Sequence, residues 1–143
     1  MSLSIRAAEI SDLRAIGPLL ILLGYPAGQE DLAGRFEALF ADPQANVLVA
    51  TDGHALLGLA TTYLVPVAHE AGPWYRLTAL VVDERQRGRG VGQALIKTAE
   101  AIAREAGCSR IEATSATHRA DAHGFYRHLG YAREADHFLK RFT

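Results

Sequence analysis

The pattern of apolar and polar positions predicts a chain that alternates between short strands and amphipathic helices. Apolar residues recur three or four positions apart in four segments, which predicts helices at Asp12–Leu23, Gln29–Ala41, Gly90–Ala106 and Arg119–Leu129. Short apolar runs predict strands at Leu3–Ala7, Asn46–Ala50, Ala55–Val65, Trp74–Val82 and Ile111–Ser115, with a final strand or pair of strands at Tyr131–Phe142. The order β α α β β β α β α β predicts an α/β fold, with a mixed sheet flanked by helices.

Residues that start or stop elements agree with these boundaries. Ser11 precedes the first helix as an N-cap would, and Gly24 suits the left-handed position that ends it. Pro18 lies inside this helix without an amide hydrogen, so we expect a kink or loosened first turns. Asp52-Gly53 lies between two predicted strands and indicates a tight turn, hence an antiparallel ribbon. The continuously apolar run Leu80 to Val82 predicts a central strand.

Composition describes one globular domain and narrows the choice of partner. The 143 residues are 49% hydrophobic and 22% charged, and 15 Lys and Arg against 16 Asp and Glu give a net charge of -1. This charge gives no reason to expect nucleic acid or an anionic membrane as a partner. The single Cys108 cannot form an internal disulfide, and we find neither a membrane-length apolar run nor a signal segment. We therefore expect a cytoplasmic protein in which Cys108 has no catalytic role.

A glycine-rich turn joins the predicted strand Trp74–Val82 to the helix that follows. Gly88, Gly90 and Gly92 stand at alternate positions, and the helix behind them presents unpaired N–H groups and the positive end of its dipole. A diphosphate is the natural ligand of such a turn. Local positive charge comes from Arg85, Arg87 and Arg89. We expect two of these three arginines to point to solvent or to an outer phosphate.

Other phosphate-binding motifs do not fit this turn. A Walker loop needs Gly-Lys-Ser/Thr after four spacer residues, and none follows these glycines. A dinucleotide fingerprint needs a final Gly or Ala, but Gln93 and Leu95 stand three residues past Gly90 and Gly92. ATP and NAD are therefore unsupported. A solvated glycine-rich loop or an RGG-like nucleic-acid segment stays open on this motif alone.

A second motif lies on the last predicted helix, where Ala122 to Tyr131 reads A-H-G-F-Y-R-H-L-G-Y. Together with R-G-R-G-V-G at Arg87 to Gly92, the chain resembles the GNAT superfamily of N-acetyltransferases in both signature regions, R/Q-x-x-G-x-G/A and A-x-x-F-Y-x-x-L-G-F/Y. The resemblance is strong from about Ala79 to Tyr131 and weaker from Met1 to Ala45. It implies the GNAT acyl-CoA N-acyltransferase fold in a single domain spanning residues 1–143, with acetyl-CoA as co-substrate.

The resemblance also implies which residues contact the cofactor. Amides of the turn should hold the CoA diphosphate, and the strand end should pair with the pantetheine like an added strand. An amide at that strand end should also stabilise the oxyanion formed on the thioester carbonyl. Ser115 stands in the region where the family often has an asparagine and is expected to replace its contact. The implied cofactor residues are Leu80, Val81, Val82, Arg87, Gly88, Arg89, Gly90, Val91, Gly92, Gln93, Ser115 and Tyr126.

For catalysis, Tyr126 matches the tyrosine that protonates the departing CoA thiolate in many relatives. A phenol, whose ordinary pKa is about 10, carries its proton at neutral pH; the alternative is that Tyr126 is a packing aromatic. The strand W-Y-R-L-T-A-L from Trp74 lacks the carboxylate with which many relatives deprotonate the amine. Thr78 could orient a water but cannot take a proton. His123 lies three residues before Tyr126 and is our first candidate base.

Other candidate bases are Glu112, His118, Asp121 and the pair His69 and Glu70, although each is more often a surface or capping residue. We predict direct attack by a small-molecule amine in a ternary complex, without a metal ion and without an acetyl-enzyme, because no activated cysteine is evident. Arg76, Trp74 and Tyr75 would suit an amine with an anionic group, whereas Glu30 and Asp31 would suit a polycation. A protein or peptide acetyltransferase, a non-catalytic acyl-CoA sensor and a homodimer stay open.

Overall fold

A computed structural model of the chain describes residues 2–24, 31–114, 120–134 and 138–142. The strands are β1 (Ser4–Ala7), β2 (Ala45–Thr51), β3 (Leu56–Val65), β4 (Trp74–Val82) and β5 (Arg110–Ala113). The helices are α1 (Leu13–Leu22), α2 (Leu32–Ala41), α3 (Val91–Glu105) and α4 (Ala120–His128), with short 3-10 turns at Ile10–Asp12 and Glu84–Gln86. The predicted element order is therefore confirmed through α4.

The strands form a mixed five-stranded sheet in the order β1-β2-β3-β4-β5. Neighbouring strands from β1 to β4 are antiparallel, whereas β4 and β5 are parallel. The parallel pair requires a crossover, and α3 supplies it. The hairpin between β2 and β3 turns at Gly53, whose φ of 95° is left-handed, as the Asp52-Gly53 signal predicts.

Helices cover both faces of this sheet because its central strands are apolar on both sides. Along β2, Val47 and Val49 pack with residues of α1 and α2. The alternate residues Leu48 and Ala50 pack instead with residues of α3. We call these two sides the α1–α2 face and the α3 face. Both sides are buried in the middle of the sheet, so its exposed chemistry is confined to strand ends.

A β-bulge interrupts the alternation of side chains along β4. Thr61 of β3 pairs with Ala79 and Thr62 pairs with Leu77, so Thr78 is an extra residue on β4. Before the bulge, Leu77 lies in the core of the α3 face. After it, Val81 lies in the core of the α1–α2 face. The bulge therefore reverses which residues face each side, and it places Thr78 and Ala79 on the same α1–α2 face.

The predicted N-cap Ser11 is wrong. Ser11 lies inside the 3-10 turn Ile10–Asp12, whose N-terminal residue is Glu9, and Glu9 and Asp12 form a capping box. The Asp12 carboxylate accepts from the Glu9 amide at 2.7 Å and from the Arg6 guanidinium at 2.8 and 2.9 Å. These contacts lower the pKa of Asp12, because the Arg6 hydrogen bond favours the charged carboxylate. The 3-10 turn before α1 is thus capped by Glu9 and Asp12, and Asp12 is held by an ion pair with β1.

The predicted strand at Tyr131–Phe142 is not found in its described parts, residues 131–134 and 138–142. Phe138 and Phe142 are 92% and 91% exposed there, so apolar composition without a strand partner does not suffice. Strand β5 ends at Ala113, short of the predicted end at Ser115. Pro18 lies within α1, and the kink expected there stays a prediction. Among the described residues, no helix is long and apolar enough to cross a membrane.

Candidate active site

Strand β4 extends beyond the end of its parallel partner β5, which leaves part of its edge unpaired. The two strands pair from Trp74 opposite Arg110 to Leu77 opposite Ala113, where β5 ends. Strand β4 continues to Val82 while β3 still pairs with its other side. The backbone of Thr78 to Val82 therefore faces a gap on the β5 side and pairs there with no described strand. Such an edge can accept an extended ligand as an added strand.

The glycine-rich turn lies at the end of this gap. The Asp83 amide donates to the Leu57 carbonyl at 2.8 Å and anchors the turn to β3. Gly88 and Gly90 have φ angles of 83° and 78°, which disfavour any residue with a side chain. Within the described part of the chain, no acceptor is bound by the amides of Gly88, Gly90, Val91, Gly92 and Gln93. Free donors at the start of α3 form an anion site.

The three arginines of the turn differ in their contacts. Arg85 folds back onto Asp83, with 3.0 Å between Nη2 and Oδ2, and lowers the pKa of that carboxyl through this hydrogen bond. Arg89 donates to the side chain of Gln86. The side chain of Arg87 is exposed and forms no hydrogen bond or ion pair with the described residues. Arg87 is therefore the side chain best suited to contact a bound phosphate.

The two sequence motifs meet at Gly92. A Cβ on Gly92 would lie 3.2 Å from the Phe125 ring and 3.6 Å from a methyl carbon of Val82. Helix α4 can therefore pack directly against the start of α3 because position 92 has no side chain. Phe125, Tyr126, Leu80 and Val82 all pack against the core of the α3 face. This packing brings α4 to the same side of the sheet as the gap.

Tyr126 has the properties of a proton donor. Its ring is half-buried, and its centroid lies 5.3 Å from that of Phe125 and 5.6 Å from that of Tyr131. Its hydroxyl forms no hydrogen bond with the described residues, and burial raises the pKa of the phenol. Tyr131 is held by a 2.7 Å hydrogen bond from its hydroxyl to Glu100. The Tyr126 hydroxyl is therefore neutral, and its ring is supported on both sides.

A pocket of about 230 Å³ opens beside the bulge, on the α1–α2 face. Its lining residues come from both helices and from β3 and β4: Leu20, Leu23, Arg35, Phe36, Leu39, Thr61, Thr78 and Ala79. The hydroxyl oxygens of Thr61 and Thr78 are 2.7 Å apart. We call this cavity the bulge pocket. Thr78 and Ala79 belong both to its wall and to the unpaired edge of β4, so the pocket and the gap meet there.

The model of the acetyltransferase (GNAT) family matches residues 14–131 of the chain. The chain belongs to this family. The aminoalkylphosphonate N-acetyltransferase of Salmonella typhimurium strain LT2 is 30% identical over 105 residues, which are 73% of this chain and 68% of that protein. A protein of Agrobacterium tumefaciens strain C58, assigned as an acetyltransferase, is 27% identical and has a TM-score of 0.88 over 97% of this chain and 99% of its own.

A GNAT enzyme with a bound CoA compound has the same fold. AAC(6')-Iy, in complex with the bisubstrate analog CoA-S-monomethyl-acetylneamine, is 17% identical, with a TM-score of 0.87 over 100% of this chain and 99% of its own. GNAT enzymes use acetyl-CoA, and this GNAT chain has the groups that such a cofactor needs. Free amides and Arg87 suit its phosphates, and the unpaired edge of β4 suits its amide-containing arm.

The predicted cofactor residues of this GNAT chain lie together, with one exception. Leu80 to Val82 form the unpaired edge, and Arg87 to Gln93 form the turn and the start of α3. Val81 is 7% exposed and packs in the α1–α2 face, so it can offer only its backbone. Ser115 lies outside the described residues. The cofactor roles themselves stay predictions.

Two carboxylates among the candidate bases are engaged elsewhere. Glu112 accepts from both Nε and Nη2 of Arg76 at 2.7 Å, so its carboxylate is already held in an ion pair with β4. Glu70 accepts from the Trp74 indole, which lowers the pKa of Glu70 further than the nearby Arg110 does. Trp74 begins β4, roughly 26 Å from Val82 at about 3.3 Å per residue. Glu70 therefore fixes the loop before β4, far from the turn.

The remaining candidate bases lie on or near α4. His118 and the side chain of Asp121 lie outside the described part of the structure. His123 lies on α4, is half-buried and contacts no charged or hydrogen-bonding group among the described residues. No group of three or more potential metal ligands occurs within the described residues. His123 therefore stays our first candidate, on its position alone.

The sequence reasoning missed the bulge pocket and its two threonines. It leaves two acceptor classes open, an anionic amine at Arg76, Trp74 and Tyr75 or a polycation at Glu30 and Asp31, and Glu30 lies outside the described residues. Tyr75 is 1% exposed, and its hydroxyl bonds to that of Thr62 at 2.6 Å. Arg76 pairs with Glu112. A signal for the bulge exists in the sequence, because apolar residues at Tyr75 and Leu77 do not alternate in phase with Leu80 and Val82.

Proposed function

We propose that this GNAT enzyme transfers the acetyl group of acetyl-CoA to the primary amine of a small molecule by direct attack in a ternary complex. The observation that carries the proposal is the meeting of two cavities at Thr78 and Ala79. One is the gap along the β4 edge, which ends at free amides, and the other is the bulge pocket. One substrate can approach these strand residues along the unpaired edge of the sheet, and the other from the α1–α2 face.

Cofactor binding would use mainly backbone groups. The amides from Gly88 to Gln93 and the Arg87 side chain receive the diphosphate, and the edge from Thr78 to Val82 pairs with the pantetheine. This arrangement places the thioester beside the bulge. A β4 amide pointing into the gap then stabilises the negative charge that forms on the carbonyl oxygen during attack. AAC(6')-Iy, which shares the fold and carries a CoA-derived analog, supports the assignment.

The reaction forms one C–N bond and breaks one C–S bond. The neutral amine attacks the thioester carbon, the tetrahedral intermediate collapses, and CoA leaves as a thiolate. Tyr126 donates its proton to the thiolate and is reprotonated by the proton that the acetylated nitrogen loses, and its raised pKa keeps the phenol protonated at neutral pH. Cys108 takes no part, because burial raises the pKa of its thiol and keeps it in the poorly nucleophilic protonated form. No acetyl-enzyme is formed.

The attacking amine must lose a proton, and His123 is the residue we assign to accept it through water. An alkyl amine with a pKa of about 10 is almost fully protonated at neutral pH. A histidine near the end of the gap can accept a proton in this range. Helix α4 carries both His123 and Tyr126, three residues apart and hence on nearly the same side of the helix. The base and the acid would thus be delivered by one helix.

The test is release of CoA thiol from acetyl-CoA across a panel of small amines, with N-terminal and lysine peptides assayed in parallel. We expect turnover with small primary amines, in line with the similarity to an aminoalkylphosphonate N-acetyltransferase. Preferred turnover of peptides would replace the small-molecule assignment. Tight acetyl-CoA binding without thiol release from any amine or peptide would indicate an acyl-CoA sensor instead.

A further inference from the structure

The lining of the bulge pocket indicates the chemical class of the acceptor. Apart from Arg35, its helical wall is apolar, with Leu20, Leu23, Phe36 and Leu39. Among the described lining residues, the charged side chain is that of Arg35, a cation, and no carboxylate lines the pocket. Acceptors with several ammonium groups bind through carboxylates, since each buried cation needs an opposite charge. This wall instead suits an uncharged apolar group.

The size of the bulge pocket also favours a small acceptor. Its volume of about 230 Å³ is below the roughly 300–1,000 Å³ of pockets that enclose drug-sized ligands. A multi-ring aminosugar or a folded protein segment could place only a part of itself in a cavity of this size. A single short chain or one ring with an aminomethyl group can enter it whole. The pocket therefore selects small acceptors by size as well as by contact.

The two threonines mark where the nitrogen of such an acceptor would lie. Thr61 is 7% exposed, whereas Thr78 is an exposed residue at the bulge. Their 2.7 Å hydrogen bond fixes the direction of the Thr78 hydroxyl. A hydroxyl can donate one hydrogen bond and accept others, so with Thr61 as its partner, Thr78 can still bind an amine. Thr78 also borders the gap, so an amine held there faces the thioester.

We propose that the bulge pocket takes a primary amine on a short apolar body, with the Thr61–Thr78 hydroxyl pair orienting the nitrogen. Thr78 is then a positioning residue that binds the amine, and Thr61 acts through Thr78. This inference rests on the proposed function and adds the acceptor class to it. It excludes polyamines, aminoglycosides and peptides as preferred acceptors.

The first experiment compares kcat/KM for ethylamine, butylamine, hexylamine and phenethylamine with that for spermidine and a lysine peptide. Each added methylene buried in the pocket should raise kcat/KM about three- to fourfold until the pocket is filled. A flat series, or a preference for spermidine or the peptide, would overturn the acceptor class. Binding of hexylamine, measured by calorimetry, without thiol release would contradict the proposed function but not this inference. Neither binding nor turnover would overturn both.

The second experiment changes the pocket charge. Leu20→Asp places a carboxylate in the apolar wall and should raise KM for hexylamine roughly tenfold while lowering KM for spermidine. Ile21→Asp is the matched control, because Ile21 is the next residue of α1, is 47% exposed and is not in the pocket wall. The control should behave as the parent enzyme. Equal effects of the two variants on hexylamine would contradict the pocket assignment.

The third experiment tests the hydroxyl pair without disturbing the core. Thr78→Val should raise the amine KM or lower kcat roughly tenfold, whereas Thr78→Ser, which keeps the hydroxyl, should restore the parental values. The KM for acetyl-CoA and the melting temperature serve as structural readouts and should change little, since Thr78 is exposed. Unchanged amine kinetics in a folded Thr78→Val enzyme would remove Thr78 from the proposal.

Discussion

The two cavities that meet at the β4 bulge, the gap and the bulge pocket, are lined by different kinds of groups. The gap and the glycine-rich turn present mainly backbone groups, whose conformation depends on a few glycines in one short segment. The bulge pocket presents side chains from two helices and two strands that are far apart in sequence. The comparison indicates that one half of the site is fixed by local sequence, whereas the other can vary with every lining residue. Under the proposed roles, cofactor use is shared across the family and acceptor choice is specific to this chain.

Removing the Tyr126 hydroxyl should give the largest loss of activity. It tests whether α4 belongs with the gap and the glycine-rich turn, which we call the cofactor half of the site. Tyr126→Phe should lower kcat about 10²- to 10⁴-fold with little change in KM, since the phenol donates its proton only during thiolate departure. Steady-state thiol release measures both constants. Tyr131→Phe is the control: it loses the hydrogen bond to Glu100 and some thermal stability but should keep kcat. Full activity of Tyr126→Phe would leave Tyr126 as a packing residue.

A negative charge in the glycine-rich turn should disable the cofactor half alone. Gly90→Glu puts a carboxylate where the diphosphate binds, and repulsion of this kind should weaken acetyl-CoA binding about 100-fold or more in calorimetry. Space for the side chain exists, because nothing lies within 4 Å of a Cβ on Gly90. Gly53→Glu introduces the same strain at another left-handed glycine with open surroundings and should bind acetyl-CoA normally. Normal affinity in a folded Gly90→Glu protein contradicts the turn assignment.

The pH profile separates the two proton transfers. If His123 is the base, it must be neutral to accept a proton, so kcat/KM should rise as the pH is raised from the acidic side. His123→Ala should abolish that rise and lower kcat/KM about tenfold or more at neutral pH. His128→Ala, an exposed change on the same helix, should keep the parental profile. A His123→Ala enzyme with the parental pH profile would contradict the assignment of His123 as the base, and His118 would be the next residue to replace.

The opposite limb of the same profile belongs to Tyr126. The acid must be protonated, so activity should fall as pH rises through the phenol pKa. Burial raises that pKa, and the fall is therefore expected above about pH 10, the ordinary value for tyrosine. Tyr126→Phe should lack this limb. A fall that begins well below pH 10 in the parent enzyme, and persists in Tyr126→Phe, would assign it to another group.

The contact between the two motifs should give the smallest effect. Gly92→Ala puts a Cβ 3.2 Å from the Phe125 ring, which must shift by a few tenths of an ångström and move α4 with it. We expect kcat to fall about threefold to tenfold, with partial recovery in Gly92→Ala/Phe125→Leu. Gly124→Ala is the control on α4, where nothing lies within 4 Å of the new Cβ, and should be neutral or stabilise the protein by up to about 1 kcal/mol. Equal kcat values for the two alanine variants would contradict a functional role for the contact between Gly92 and Phe125.

The difference between the two halves also explains how far the sequence predicts the structure. The predicted bounds of β4 are those observed, and the first residues of α3 follow Gly90 as expected, because glycines and apolar periodicity are local signals. The family resemblance rests on the same segment and is confirmed. The gap and the turn can thus be placed from sequence, although their ligand roles stay predictions.

The acceptor half could not be predicted because its contacts are long-range. Thr61 and Thr78 are 17 positions apart, and although the phase change along β4 indicates a bulge, it does not indicate which residue of another strand lies opposite. The contacts of Arg76 and Trp74 could not be predicted for the same reason, and the expectation that they suit an anionic amine stays a prediction. Their partners, Glu112 and Glu70, become neighbours only after β5 pairs with β4 or the preceding loop closes. The sequence shows that Arg76 is charged, but it does not show that Glu112 neutralises this charge.

The unpaired edge of β4 also bears on how the protein behaves in a crowded cell. An open strand edge is a template for any other extended chain, so it invites association between copies or with unfolded proteins. A cofactor that lies along Thr78 to Val82 would cover this template while it is bound. Acetyl-CoA would then act as a solubility factor as well as a substrate. Depletion of acetyl-CoA would expose this backbone edge again, without a change in any side chain.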